Sequence, residues 1–208
     1  MFLILDFTKS LRLALLNDNE FFSKEIKTQK NLSEILIIEI DKFLKKAKNN
    51  IKNIKSILVV TGPGSFTGIR SALTFAKSLK LTTKLNIHGL SKFEIINIKL
   101  KINKSDQKKS IFLHFKDNQF FLQTFKGYKA LNEAKLINFS NEEFIYNKQI
   151  TYIYDNILFE KLLENNVRKN IKKNCYFVEY TLQELQEIIL KNSIDNLDPK
   201  PLYISNYY

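Results

Sequence analysis

The apolar positions of the first thirty residues fall into short blocks, FLILDF, LRLALL and FFSKEIKT, each of strand length and built from bulky side chains. Asn17, Asp18 and Asn19, between the last two blocks, are turn formers and predict a hairpin. From Asn31 to Lys48 the period changes. Leu32, Leu36, Ile40, Phe43 and Ala47 recur at helical spacing and form one apolar stripe. KSILVV then reads as a short buried strand, followed by a glycine-rich turn and a helix from about Phe66 to Lys80. LNIHGL predicts a further strand and SKFEIINIKL a further helix, so the first half reads β-β-β-α-β-α with a β-α extension.

The lysine- and serine-rich interval KINKSDQKKS, residues 101 to 110, breaks this pattern and marks a boundary. Beyond it IFLHF and QFFLQTF form a second hairpin around Asp117 and Asn118. QITYIY and CYFVEY read as strands, NILFEKLLENNV and LQELQEIILKN as helices. Two halves that each open on hairpin strands and close in alternating α and β predict a duplicated α/β architecture, with lobes over residues 1–103 and 104–208.

Composition narrows the class of function. A chain of 208 residues, 44% hydrophobic and 26% charged, is long enough to bury a core and suits a folded soluble protein. The apolar run before Asp6 is too short for a signal-peptide core or a membrane span. The single cysteine, Cys175, offers neither an internal disulfide nor a zinc cluster. It reads as a strand thiol in a reducing, cytoplasmic setting. A net charge of +12 invites a nucleic-acid reading. Yet of the 33 basic residues only Arg12, Arg70 and Arg168 are arginine, the usual choice for forked phosphate and base contacts. The remaining 30, all lysines, are scattered through every segment and read as solvated surface. A direct RNA-binding protein would need a concentrated basic and aromatic surface, and none is legible.

The turn TGPGSFTGIR is the strongest local signal. Gly62, Gly64 and Gly68 are followed by Ile69 and Arg70, so the lysine of a Walker A loop is missing. Their spacings of two and four miss the dinucleotide fingerprint, and Ser65 lacks the flanking glycines of an esterase elbow. What remains is local: glycines for close backbone approach, Pro63 for stiffness, and Ser65 or Thr67 as helix cap. Arg70 in the first helical turn opposes the helix dipole and predicts an acidic or carbonyl partner. Anion binding and purely structural use both fit this turn.

GPGSFTGIR, spanning Gly62, Pro63, Gly64, Ser65, Phe66, Thr67, Gly68 and Arg70, closely resembles the signature of the TsaB (YeaZ) family. LILDFT resembles the family's opening Asp-Thr-Ser/Ala strand end, IHGLSKFE its GVSTLE-type segment, and KPLYI its C-terminal PVYLR. The resemblance implies an actin-like (ASKHA), two-lobed fold of mixed sheets flanked by helices. It further implies a non-catalytic, cytoplasmic subunit without a cofactor. Such a subunit pairs with TsaD as a heterodimer and supports TsaE recruitment, for threonylcarbamoylation of adenosine 37 in tRNAs reading codons that begin with A. tRNA is then engaged through the complex, no membrane is involved, and the chain alone can form a homodimer. The rival reading is an actin-fold ATP-binding enzyme, a kinase or a glycoprotease-like protein, which would need a second acid at the cleft beside Asp6.

The residues themselves favour the non-catalytic reading. His88 and His114 fall in different lobes, each in a strand and without co-ligands, so neither metal ligation nor a Ser/His/Asp or Cys/His constellation can be argued. Asp6, Thr8 and Lys9 stand where the family has its phosphate loop, but Phe7 replaces the small hydroxylated residue. The family's DAR-type turn of the second lobe appears as HFK, residues 114 to 116. Weak or absent nucleotide binding is the expectation. The two N-terminal-lobe helices carry apolar and small residues beyond their core stripes: Ile35 and Ile38 on the first, with Ile37 on its flank, and Ser71, Thr74, Phe75, Ser78 and Leu79 on the second. These positions are the expected partner interface.

Overall fold

The computed structural model describes residues 1–17, 20–27, 32–100, 107–139, 147–166, 174–191 and 199–204. It divides the chain into two compact units, Met1–Lys92 with Thr181–Leu202, and Phe93–Tyr180 with Tyr203–Tyr208. The boundary expected between residues 103 and 104 lies outside the described residues. The structure places its division at Lys92, and a purely sequential split does not anticipate the return of the late segment Thr181–Leu202 to the first unit.

The first unit is built on a sheet of β1 (Phe2–Asp6), β2 (Leu11–Asn17), β3 (Glu20–Ile26), β4 (Ser56–Val60) and β5 (Asn86–Leu90) in the order β3-β2-β1-β4-β5. The hairpin strands are antiparallel, whereas β1, β4 and β5 run parallel. Helix α1 (Leu32–Lys46) precedes β4, and α2 (Phe66–Thr82) joins β4 to β5. Alternate strand residues, Leu3, Leu5, Leu13, Leu15, Ile57 and Val59, meet Leu36, Ile40, Phe43 and Leu44 of α1 and Ile69, Leu73 and Ala76 of α2 in one core. The intervening residues Ile4, Ala14, Leu58 and Val60 are buried as well. Burial on both faces is why SILVV shows no polar alternation. The Asp18–Asn19 turn and the Leu32 side chain of the expected stripe lie outside the described residues. Helix α2 runs past the expected Lys80 because the Thr82 and Thr83 hydroxyls donate to the Leu79 carbonyl and close its last turn.

The second unit holds most of α3 (Lys92–Lys99), then β6 (Lys108–Lys116), β7 (Gln119–Lys126), β8 (Lys129–Ala130), β9 (Lys135–Asn138), β10 (Ile150–Tyr154), α4 (Leu158–Asn166) and β11 (Cys175–Phe177). Its sheet runs β11-β10-β6-β7-β8, with β9 also on β7. Helix α5 (Leu182–Lys191) belongs to the first unit, where it packs on β2. The pattern of apolar residues does not predict β8 and β9, which are two and four residues long and exist as additions to the outer edge of β7. The core here is aromatic: Phe112, Phe120, Phe139, Tyr152, Tyr154 and Phe159 pack together, with Phe112 and Phe159 4.3 Å apart between ring centres. Burial, helped by Glu160, pushes the Tyr154 hydroxyl up to about 12.

Cys175 at the start of β11 is half-buried, and burial with Glu160 beyond it pushes the thiol up to about 11. Only the thiolate reacts. At pH 8 iodoacetamide should therefore alkylate the folded chain about 100-fold more slowly than a free cysteine, with the rate climbing as pH rises towards the thiol pKa. A rate matching the unfolded chain in urea would contradict this placement.

Candidate functional site

The segments that carry the family resemblance converge on the glycine turn. The Thr61 N–H donates to the Leu90 carbonyl at 2.9 Å, and the Gly62 carbonyl accepts from Lys92 N–H at 2.7 Å, which ties in the IHGLSKFE stretch. The Thr61 carbonyl accepts from Leu202 N–H at 2.9 Å, tying in KPLYI. The Ser65 N–H donates to the Thr8 carbonyl at 2.7 Å, tying in LILDFT. Ser65 then caps α2, its Oγ accepting from Gly68 N–H at 3.2 Å.

Two glycines are dictated by space. A Cβ on Gly64 would stand 2.3 Å from the Thr8 carbonyl oxygen, and one on Gly68 would stand 2.2 Å from that of Phe7. The turn thus lies directly against the main chain of residues 7 and 8. Phe7 is fully buried in the core of the first unit, so the aromatic ring at the family's small-residue position serves packing.

Asp6 is fully buried and already engaged. Its Oδ1 accepts from the Thr8 N–H at 3.1 Å and from the Thr8 hydroxyl at 2.7 Å, and its Oδ2 is paired with the Arg12 guanidinium. Lys9 points outward, exposed. Arg12 was not singled out from the sequence, although the signal was present: it lies directly across the β1–β2 pair from Asp6. This carboxylate is thus committed to one ion pair and two hydrogen bonds within its own β1–β2 turn.

The histidines belong to different units. His88 stacks on Phe2 in the first unit at 5.6 Å. In the second unit His114 Nε2 lies 3.1 Å from the Asp117 carbonyl and its ring meets Phe120 edge-on. Within HFK, the His114 N–H donates to Asp155 Oδ1 at 2.6 Å, and β6 carries a bulge between His114 and Lys116. Among the described residues no group of three or more His, Cys, Asp or Glu side chains is placed to hold a metal.

A groove of about 490 Å³ runs between α1 and α2. Leu36 and Ile37 form its α1 wall. Phe66, Arg70, Thr74 and Phe75, with the small Ser71 and Ser78, form its α2 wall. Arg70 sits with its guanidinium 3.9 Å above the Phe66 ring, a cation–π contact. Of the positions expected at an interface, Ser71, Thr74, Phe75 and Ser78 line this groove together. Ile38 is exposed but outside the lining, Ile35 is half-buried, and Leu79 packs partly on the core. Ile37, which the sequence puts only on the flank, is 68% exposed and lines the groove. The serines and threonine opposite are too small to cover it.

Replacing Arg12 by Met would leave the Asp6 carboxylate buried without a counter-charge, which should cost about 3 kcal/mol in urea unfolding. The double variant Asp6→Asn with Arg12→Met should recover most of that loss, because neither charge is then stranded. Gly68→Ala should cost about 1–3 kcal/mol through overpacking against Phe7. An Arg12→Met midpoint unchanged from the parent would refute the buried pair.

Residues 23–134, more than half of the chain, match the family described as TsaD, tRNA N6-adenosine threonylcarbamoyltransferase. The tRNA threonylcarbamoyladenosine biosynthesis protein TsaB of Buchnera aphidicola subsp. Acyrthosiphon pisum (strain APS) is 25% identical over 184 residues, covering 83% of this chain and 81% of that protein. The protein of the same name from Buchnera aphidicola subsp. Schizaphis graminum (strain Sg) is 40% identical over 57 residues. That match spans 27% of this chain and about a quarter, 27%, of the relative's own length. A crystal structure from Pseudomonas aeruginosa, of a protein described as similar to peptidase YEAZ, superposes with a TM-score of 0.63 at 12% identity, over 90% of this chain and 88% of its own. The fold is the actin-like (ASKHA) α/β fold. By its sequence match and its fold, the chain belongs to the TsaD-like family and, within it, to the TsaB (YeaZ) proteins.

Proposed function

We propose that the chain is a non-catalytic subunit of tRNA threonylcarbamoyladenosine biosynthesis. It pairs with TsaD and supports TsaE recruitment for modification of adenosine 37 in tRNAs that read codons beginning with A. The observation that carries this reading is the α1–α2 groove, where an exposed isoleucine faces a strip of serine and threonine. Small residues let a second pair of helices approach closely, and uncovered apolar side chains supply the driving force once water is excluded. The names of the relatives support the pathway. Asp6, committed to Arg12 and Thr8, supports the absence of chemistry. In the absence of TsaD the same groove takes a second copy of the chain.

The variant Ile37→Asp with Thr74→Arg alters two exposed groove positions and spares Phe75, which packs partly on the core. It should lose co-elution with TsaD and with it the stimulation of tRNA modification, while its melting temperature stays within a few degrees of the parent. Undiminished co-elution would overturn the placement. Calorimetry of the isolated chain with ATP and magnesium separates the rival enzyme reading: no heat of binding is expected, and micromolar affinity would favour an ATP-binding enzyme.

A further inference from the structure

Between Asp41 and Glu94 the chain contains no aspartate or glutamate, yet it carries ten lysines and Arg70. Eleven of the net twelve positive charges therefore reside in this window, and the rest of the chain is nearly balanced, with 22 basic against 21 acidic residues. Along the sequence these lysines look scattered. The fold gathers a group of them. Helices α1 and α2 each lead into a strand, β4 and β5, and those strands are parallel neighbours that start level, Ser56 beside Asn86. The two helix ends and both connections must therefore share one end of the first unit. The Asn86 N–H donating to the Lys55 carbonyl at 3.0 Å fastens one connection to the other.

That end presents Lys46, Lys48, Lys52, Lys55, Lys80 and Lys84, all exposed. Among the described residues none of them is paired with a carboxylate, whereas Lys45 is, to Asp41 at 2.6 Å. Lysine near a helix C-terminus complements the helix dipole. Two helix ends contribute only about one negative charge between them, however, so most of the positive charge is left over. Glu20, at the start of β3, also lies at this end of the sheet, and among the described residues it pairs with none of the six.

We infer that this lysine end of the first unit is a docking surface for the phosphate backbone of a folded RNA. Compact ammonium groups on flexible stems suit phosphate neutralisation without base readout. Between them the side-chain amides of Asn49, Asn50 and Asn53 add N–H donors for phosphate and ribose oxygens. An anionic membrane would call for an apolar wedge among the lysines, and among the described residues there only Leu81 is a large exposed apolar side chain. That the polyanion is an RNA rather than another phosphate polymer rests on the tRNA role proposed above. The charge cluster itself does not depend on TsaD pairing.

The test uses the isolated full chain and an unmodified tRNA transcript, with affinity followed by fluorescence anisotropy across a salt series. Lys52→Glu, Lys80→Glu and Lys84→Glu together should weaken binding at least tenfold near 0.1 M salt and flatten the log–log salt slope by about 2–3. A control with the same charge change in the second unit, Lys116→Glu, Lys129→Glu and Lys135→Glu, should bind like the parent. Equal losses in both variants would overturn the assignment, as would no tRNA binding by the parent. Binding to phosphatidylserine vesicles in place of tRNA would replace it with a membrane surface. The lysine variant should still co-elute with TsaD, so failure here and failure of the groove are separate results.

Discussion

Everything in the first unit is arranged around a main-chain contact that tolerates no side chain. Gly64 and Gly68 stand so close to the carbonyls of Thr8 and Phe7 that an added methyl carbon would overlap backbone oxygen. Backbone cannot swing aside as a flexible side chain can, so the contact fixes where β1 ends relative to where α2 begins. The Ser65 cap and the Ser65–Thr8 hydrogen bond then set the direction of α2. That direction decides how far α2 lies from α1, and hence whether a groove opens between them. The signature sequence is therefore read most economically as the geometry of a helix entry, with hydrogen bonds from the SKFE and KPLYI segments bracing the turn from two further sides.

The same contact bears on chemistry. A glycine-rich turn before a helix is a good anion cradle when its N–H groups face open space. Here the Ser65 N–H is spent on Thr8 and the Gly68 N–H on the cap. Asp6, two residues before the Thr8 carbonyl that meets the turn, is held by Arg12 and by the N–H and hydroxyl of Thr8. A buried ion pair is weak evidence of stability, since desolvation consumes much of its attraction. It is stronger evidence of a role: a carboxylate with a full complement of partners serves to position the β1–β2 turn.

Most of the fold was legible because its elements are long and strongly patterned. The α1 stripe and the SILVV run can each be read from one period of apolar residues. What the pattern could not show is whatever depends on a neighbour. Strands β8 and β9 carry little intrinsic signal and are made by pairing to β7. Segment Thr181–Leu202 folds onto the first unit because α5 packs on β2, a long-range choice invisible to local spacing. At the candidate site, the strip of Ser71, Thr74 and Ser78 was readable from helical spacing. The exposure of Ile37 was not, since a flank position is covered or bare according to the size of residues on the next helix. The role of Arg12 emerges only from the hairpin register, which sets it opposite Asp6.

Charge shows most plainly how topology alters what a sequence means. Lysines spaced from residue 46 to residue 84 are far apart along the chain, and most such residues are simply solvated. Parallel strands starting level bring the preceding connections side by side, so residues separated by thirty positions become neighbours. The helix flanks carry small and apolar residues while the helix ends carry ammonium groups, and the two surfaces share only the scaffold between them. Apolar docking depends weakly on salt and phosphate docking strongly, so α1 and α2 can serve one partner along their sides and another at their ends without either contact competing for the same groups.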